Sequence, residues 1–264
     1  MLYGFIGCGN MGGALAAAAA KAVGGSALLL ADADPQKAAA LAEKLGAYAS
    51  TQQEIAEKCD YIILGVKPQV MGGVLKTLSG LVPANHRPVL VSMAAGLDLE
   101  TLKELYGKDS PWIRIMPNTP VQVGEGRILY TSQANEYQTE GFCQLFGEAG
   151  ALFAVEEKLI DAGSAVSGSG PAFVYLFIEA LADGGVACGL PRNMALELAA
   201  GTVLGSAKTV LETGVHPGAL KDAVCSPGGS TIAGVKALED GAFRAAAMDA
   251  VLRTYKRNKE LGKK

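Results

Sequence analysis

The sequence has few of the residues that bind metals or nucleic acids. It has only two histidines, His86 and His216, and its five cysteines never form a Cys-x-x-Cys pair, which excludes a zinc site at the usual spacings. The formal net charge of −3 provides no basic surface for nucleic acid. The apolar run at 173–182 is interrupted by Glu179 and is too short to cross a bilayer. We therefore expect a cytoplasmic protein without a metal, nucleic acid or a membrane as partner.

Aromatic residues are also scarce, at 6%, whereas 50% of the residues are hydrophobic. Strand and helix patterns alternate in the first part of the chain. Apolar strands are predicted at 2–6, 27–31, 61–66, 88–93 and 112–115, with edge strands at 127–130 and 151–155. Predicted helices between them include 11–23, Pro35–Leu45 and 135–148. This alternation predicts a mostly parallel sheet covered on both faces, in a Rossmann-type α/β domain at 1–157.

Strand patterns stop after about residue 157. The remaining chain is predicted to be helical at 159–166, 171–187, 191–212, 217–224, 231–238 and 243–259. We therefore predict a second, all-α domain at 158–264. Its helices from residue 171 onward are apolar on more than one face, so we expect this domain to dimerise.

A glycine loop, GCGNMG at 7–12, follows the first strand and opens the first helix. In such a loop Gly7 permits the tight turn, Gly9 lets the backbone approach a pyrophosphate, and Gly12 lets the helix pack on the strand. Asp32, at the end of the second strand, is placed to bind the adenosine ribose hydroxyls of a dinucleotide. Two alternatives remain open: the loop could serve packing alone, and Asp32 could cap the following helix, although Asp34 fits that role better.

Further cofactor contacts are expected where the other strands end, because ligands of α/β sheets bind at the carboxyl ends of the strands. Lys67 is one such residue, and taken alone it fits a solvated lysine equally well. The residues expected to contact the dinucleotide are Ile6, Gly7, Cys8, Gly9, Asn10, Met11, Asp32, Gln52, Gly65, Val66, Lys67, Pro68, Met93, Ala94 and Ala95.

Two Ser/Gly loops in the second half resemble anion-binding helix starts. They are SGSGP at 167–171 and SPGGST at 226–231. Backbone N–H groups and hydroxyls at a helix N-terminus hold a small anion such as a carboxylate. Alternatively, 167–171 is an ordinary helix–helix connection, and 226–231 is a helix cap with a proline-glycine turn. A dinucleotide and a small carboxylate together indicate a redox enzyme acting on a small acid.

The helical half lacks an evident acid for reducing a ketone. No lysine occurs between Lys158 and Lys208, and the only histidine of this half is His216. Ketone reduction creates an alkoxide that a Tyr, Lys or His must protonate, whereas the nitrogen of an iminium ion already carries its proton. The sequence therefore favours reduction of an imine.

Taken together, the motifs resemble the Δ1-pyrroline-5-carboxylate reductase family over nearly the whole chain. The matching pieces are GFIGCGNMG at 4–12, VKPQ at 66–69, MPNTP at 116–120, 167–172, ALADGG at 180–185 and 226–232. The resemblance implies NAD(P)H-dependent reduction of pyrroline-5-carboxylate to L-proline. It also implies a Rossmann domain and a helical domain that forms a homodimer, with higher oligomers in some members.

The resemblance also implies the substrate site. Thr231 would hydrogen-bond the imine nitrogen, as the catalytic contact. The residues implied to bind the substrate are Glu157, Asp222, Ser226, Gly228, Gly229, Ser230 and Thr231. One departure is Gly214, where some relatives carry a glutamate.

Several points stay open in the sequence. Asp32 and the lack of arginine nearby favour NADH over NADPH, although Lys37 could meet a 2′-phosphate. Alternative functions are another NAD(P)H-dependent imine or carbonyl reductase, a deazaflavin-linked reductase that shares the first domain, and a non-catalytic dinucleotide-sensing dimer.

Overall fold

A computed structural model of the chain describes residues 1–261, and it divides into two compact units. The first unit comprises Met1–Ser169 together with the chain from Thr254 onward, and the second, the helical unit, comprises Gly170–Arg253. The predicted domain boundary after residue 157 stays a prediction, and the last three residues of the predicted second domain lie outside the described residues.

One eight-stranded sheet forms the first unit. Its strands are β1 (Tyr3–Ile6), β2 (Leu28–Ala31), β3 (Tyr48–Ala49), β4 (Tyr61–Leu64), β5 (Val89–Ser92), β6 (Trp112–Met116), β7 (Gly126–Ser132) and β8 (Gly150–Ala154). Their spatial order is β3-β2-β1-β4-β5-β6-β7-β8, and every neighbouring pair is parallel except β6 and β7. The predicted mostly parallel sheet is confirmed.

Helices cover both faces of this sheet. They are α1 (Asn10–Val23), α2 (Pro35–Leu45), α3 (Gln52–Lys58), α4 (Pro68–Leu81), α5 (Leu99–Tyr106), α6 (Glu136–Phe146) and α7 (Ile160–Ser167). Every residue of β1, β2, β4 and β5 is buried, because alternate side chains enter two separate cores. Phe5 packs in one core with Phe142, and Ile6 packs in the other with Trp112.

The helix ends explain why several predicted bounds agree with the structure. Asp34 caps α2 by accepting a hydrogen bond from the Gln36 backbone N–H at 3.1 Å, and Gly46 ends the helix in the left-handed region at φ 64°. Asn135 and Gln138 form a capping box at the start of α6. Such end signals lie within a few residues of the helix and are therefore visible in the sequence.

The helical unit contains α8 (Gly170–Ala187), α9 (Arg192–Thr213), α10 (Pro217–Ala223), α11 (Ser230–Asp240) and the first part of α12 (Phe243–Leu261). The predicted all-α character is confirmed. Helices α8 and α9 form a hairpin that turns at Gly189, whose φ is 96°, and an ion pair joins Arg192 to Asp183 at 2.5 Å. Gly185 allows close packing, because a Cβ there would lie 3.2 Å from the Cβ of Ala195.

The helical unit has a very small core and large exposed apolar faces. Its buried hydrophobic cluster consists of Ala182, Ala195 and Ala199. By contrast, Leu176 is 69% exposed and Leu204 is 66% exposed. Two stretches are long and apolar enough to cross a membrane, judged by length and composition only: Arg192–Thr213, and Glu157–Ala187, which begins in the first unit and includes α8. Core helices of soluble proteins are mostly buried, so these faces need another surface to cover them.

Candidate active site

The glycine loop lies where the strand order of the sheet reverses, between β1 and β4. Gly7 has φ 102°, and a Cβ on it would lie 2.6 Å from the carbonyl oxygen of Gly65. A Cβ on Gly12 would lie 2.1 Å from the carbonyl oxygen of Gly7. A Cβ on Gly9, in contrast, would meet nothing within 4 Å. Gly7 and Gly12 therefore serve close backbone packing, whereas Gly9 borders open space.

The open space at Gly9 faces the start of α1. Gly9 is the N-cap residue, and no side chain within residues 1–261 caps this helix. The first N–H groups of a helix lack partners inside the helix and favour an anion. The geometry thus fits the pyrophosphate of a dinucleotide.

Asp32 is braced by two backbone hydrogen bonds. One carboxylate oxygen accepts from the Cys8 N–H at 2.6 Å and the other from the Asp34 N–H at 3.0 Å. Burial, and then the charge of Asp32, raises the pKa of the Cys8 thiol to about 11, which keeps that thiol protonated. Since Asp34 caps α2, Asp32 does not have the helix-capping role that the sequence left open.

Asp32 also lines a cleft of about 490 Å³ together with Pro35, Ser50, Gln52 and Glu54. Each oxygen of its carboxylate can accept a second hydrogen bond, so the bracing contacts leave capacity for a ligand hydroxyl. The cleft and the open space at Gly9 are both at the carboxyl ends of the strands.

The structure brings the other predicted cofactor residues to the same edge of the sheet. Gly65 and Val66 follow β4, Lys67 is the exposed N-cap residue of α4, and Pro68 is the first residue of that helix. Residues 93–95 follow β5. Gln52 begins α3 after β3. Strands β3, β2, β1, β4 and β5 are adjacent and parallel, so their carboxyl ends form one continuous edge.

Sequence reasoning missed a buried charged cluster around Arg114 on β6. Arg114 is 4% exposed, and its Nη1 donates to Glu157 Oε1 at 3.1 Å. Its Nη2 lies 3.5 Å from Asp161 Oδ1. Glu157 Oε1 also accepts from the Leu99 N–H at 2.8 Å. The sequence singled out Glu157 but gave no signal for this pairing, because 43 residues separate it from Arg114.

In the helical unit, the loop 226–231 leads directly into α11. Gly228 has φ 70°, and the Gly229 N–H donates to the Ser226 carbonyl oxygen at 3.0 Å. A Cβ on Gly229 would lie 2.4 Å from Ser226 Oγ. Gly229 is the N-cap residue, and among the described residues no side chain caps α11.

The first turn of α11 begins with Ser230 and Thr231, both exposed. Free backbone N–H groups and two hydroxyls thus meet at one helix start, which fits a small carboxylate with an adjacent polar group. Asp222, on α10, forms an exposed ion pair with Lys221 at 2.7 Å.

In the other Ser/Gly loop, 167–171, several polar groups already have partners within the chain. The Ser167 hydroxyl donates to the Gly163 carbonyl oxygen at 3.0 Å, and the N–H groups of Gly168 and Ser169 both donate to the Ser164 carbonyl oxygen. Gly168 stays in the helical region at φ −72° and ψ −47°, so these groups are used in a helix end. The segment connects α7 to α8 (Gly170–Ala187), and its role as an anion site stays a prediction.

Two models of known protein families match this chain, one in each half. The sequence model of the family described as pyrroline-5-carboxylate reductase dimerisation matches residues 157–261. The model described as NADP oxidoreductase, coenzyme F420-dependent, matches residues 2–96.

Individual relatives match over most or nearly all of the chain. Pyrroline-5-carboxylate reductase of Arabidopsis thaliana is 49% identical over 80% of this chain and 76% of its own length. The enzyme of that name from Escherichia coli K12 is 42% identical over 98% of both chains. The crystal structure of Plasmodium falciparum pyrroline carboxylate reductase with NADP bound superposes with a TM-score of 0.89 at 34% identity, covering 99% of this chain and 98% of that one. The chain belongs to the pyrroline-5-carboxylate reductase family.

Proposed function

We propose that this protein reduces the ring imine of pyrroline-5-carboxylate to give L-proline, the last step of proline biosynthesis. The similarity to reductases of that name, over 80% to 99% of this chain, carries this assignment. The protein uses a nicotinamide cofactor, which when bound supplies the hydride for the imine carbon. The residues of this chain then have to bind the two ligands, orient them and keep the nitrogen protonated.

The first unit binds the cofactor in this proposal. The N–H groups at the start of α1 receive the pyrophosphate in the open space at Gly9, and Asp32 accepts hydrogen bonds from the adenosine ribose. The small residues Ala94 and Ala95 let the backbone after β5 contact the nicotinamide ring. The other predicted contacts at this sheet edge remain proposals of the same kind.

The helical unit binds the substrate. The backbone of Gly228, Gly229 and Ser230, with the Ser226 hydroxyl, holds the carboxylate at the start of α11. The Thr231 hydroxyl accepts a hydrogen bond from the protonated imine nitrogen and fixes the face of the ring that receives the hydride. No separate acid is required, because the nitrogen already carries its proton.

Two predicted substrate residues have other partners in the structure. Asp222 is paired with Lys221, and Glu157 is paired with Arg114. Their substrate roles stay predictions, and neither is needed for the proposed chemistry.

We further propose that the enzyme uses NADH in preference to NADPH. A carboxylate at Asp32 repels a 2′-phosphate, and among the described residues that line its cleft there is no lysine or arginine. Glu54, the other acid of the cleft, is paired with Lys58 at 2.5 Å, so the repulsion comes mainly from Asp32. Lys37 is exposed on α2 and is the cation that could reduce this preference.

A second copy of the chain covers the exposed apolar faces of the helical unit. Residues 157–261 match the dimerisation region of the family, which supports a protein surface rather than lipid as the cover. Assembly beyond the dimer and a cytoplasmic location are parts of the same proposal.

The deciding experiment follows the oxidation of NADH or NADPH by the purified protein with a panel of substrates. The panel contains pyrroline-5-carboxylate, a six-membered cyclic imine carboxylate and open-chain 2-ketoacids. We expect turnover of the five-membered imine with formation of proline, and little turnover of the ketoacids. Faster turnover of a ketoacid would assign the protein to carbonyl reduction, and cofactor binding without any turnover would indicate a sensor.

A further inference from the structure

Arg114 is the one charged residue in the buried part of the chain over residues 1–261. Removing a guanidinium from water is unfavourable unless carboxylates and hydrogen bonds compensate. Arg114 lies on β6, an interior strand of the sheet, and its partners come from a distant part of the sequence. The proposed chemistry uses none of these groups, so the cluster needs its own explanation.

One carboxylate oxygen connects three elements of the first unit. Glu157 Oε1 accepts from Arg114 Nη1 on β6 at 3.1 Å and from the Leu99 N–H at the start of α5 at 2.8 Å. Glu157 itself begins the short 3-10 turn that leads into α7. Asp161 on α7 adds a second carboxylate near Arg114 Nη2.

The charge of Arg114 also acts on a third carboxylate, that of Asp98. It caps α5 by accepting from the Thr101 N–H at 2.8 Å. Hydrogen bonds from Thr101, and to a smaller degree the positive charge of Arg114, lower the pKa of the Asp98 carboxyl. The start of α5 is therefore held by Asp98 from within the helix and by Glu157 from outside it.

The segment between β5 and α5 is short and is anchored at both ends. At the β5 end, the Ala94 N–H donates to the buried Ser92 hydroxyl at 3.3 Å. At the α5 end, the anchor is the bond from the Leu99 N–H to Glu157. Gly96 between them has φ 78°. The backbone of residues 93–95 is thus positioned by these two anchors.

We propose that the Arg114–Glu157 pair is a positioning device for residues 93–95, the segment that contacts the nicotinamide ring under the proposed function. Arg114 holds the Glu157 carboxylate in place, and Glu157 holds the start of α5. Glu157 is then a positioning residue and does not bind the substrate. The inference rests on the proposed cofactor role of this segment.

The test compares Glu157→Ala, Glu157→Gln and a control, Glu156→Ala. Glu156 is the neighbouring residue, and its ion pair with Lys158 is exposed. In Glu157→Ala, we expect a loss in kcat of roughly 10- to 100-fold, because small misplacements of a reacting group are costly. We also expect weaker binding of NADH, seen as a higher Kd, and an unchanged KM for pyrroline-5-carboxylate. Glu157→Gln should be intermediate, because its amide oxygen can still accept from the Leu99 N–H.

Amide hydrogen exchange gives a readout that does not depend on turnover. The peptide that spans residues 93–99 should exchange faster in Glu157→Ala than in the wild type, and Glu156→Ala should leave it unchanged. If Glu157→Ala does not fold, the same comparison is made with Glu157→Gln, which keeps the length of the side chain.

The outcomes separate the two proposals. A raised KM for pyrroline-5-carboxylate with normal kcat and cofactor Kd would make Glu157 a substrate contact and overturn the inference. Wild-type kcat, cofactor Kd and exchange in both Glu157 variants would also overturn it. A wild type that does not reduce pyrroline-5-carboxylate, but whose cofactor Kd and exchange still respond to Glu157→Ala, would refute the proposed function and support the positioning role.

Discussion

The same small change, glycine to alanine, is expected to impair stability at one position of the glycine loop and cofactor binding at another. At Gly12 the new Cβ would lie 2.1 Å from the carbonyl oxygen of Gly7. At Gly9 it would meet nothing within 4 Å, and the φ of −70° and ψ of −170° there suit any residue. Gly12→Ala therefore tests the packing of the loop, whereas Gly9→Ala tests whether the cofactor occupies the open space at Gly9.

The cost at Gly12 is high because the carbonyl of Gly7 cannot move away easily. The Gly7 N–H donates to the Ala31 carbonyl oxygen at 2.8 Å, and Gly7 lies against the backbone of Gly65. Overpacking of this kind costs about 3 kcal/mol. For a unit of this size that corresponds to a decrease in Tm of roughly 6–12 °C.

At Gly9 the expected cost in stability is small, about 1 kcal/mol or less, for alanine in place of glycine at a helix N-cap. The methyl group would instead occupy the space in front of the first N–H groups of α1. We expect the Kd for NADH to increase at least about tenfold, which corresponds to roughly 1.4 kcal/mol of binding free energy.

Thermal unfolding and NADH fluorescence titration measure the two effects separately. Gly13→Ala is the matched control, because its Cβ would make an ordinary contact of 3.5 Å with the Cys8 carbonyl oxygen. That variant should keep both the Tm and the cofactor Kd. Gly9→Ala that binds NADH as tightly as the wild type would show that the pyrophosphate does not lie at this helix start. An unchanged Tm for Gly12→Ala would show that the loop relaxes freely.

Three further predictions address the substrate, the cofactor and the assembly. Thr231→Ala should lower kcat roughly 10- to 1,000-fold in steady-state assays with the NADH Kd unchanged, and Thr231→Ser should be milder; full activity of the alanine variant would refute the contact with the imine. Asp32→Ser should shift the ratio of kcat/KM for NADPH over NADH upward by roughly 5- to 150-fold, and a wild type that prefers NADPH would mean that Asp32 only braces the loop. Light scattering should give at least twice the mass of one chain. An active monomer at micromolar concentration would contradict the proposal that a second copy covers the apolar helical faces.

The first unit could be predicted well from the sequence because its signals are local. Strands such as β4 are short apolar runs, and α2 is bracketed by Asp34-Pro35 before it and Gly46 after it, so its observed bounds equal the predicted ones. The short β3, by contrast, has two exposed residues and no apolar run. The antiparallel direction of β7 depends on how the chain returns to the sheet, which no local pattern records.

In the candidate site, too, some parts could be predicted from local sequence and others could not. The glycine loop and the loop at 226–231 have turn and cap chemistry that can be recognised within six residues. SGSGP at 167–171 has a similar composition, but the N–H groups of Gly168 and Ser169 already donate to the Ser164 carbonyl oxygen. Whether an N–H group near a helix is free or used depends on three-dimensional contacts, and composition alone cannot distinguish the two cases.

The helical unit shows why a single chain is an incomplete description of this protein. A hydrophobic pattern indicates which residues need cover, but it does not say what provides it. Helices α8 and α9 bury only small alanines against each other, while Leu176 and Leu204 remain exposed. Since apolar burial is the main favourable term in folding, these two helices cannot obtain their stability from their mutual contact alone. The loop at 226–231 lies in this same unit, so the stability of the proposed substrate site is linked to the surface that a second copy would supply.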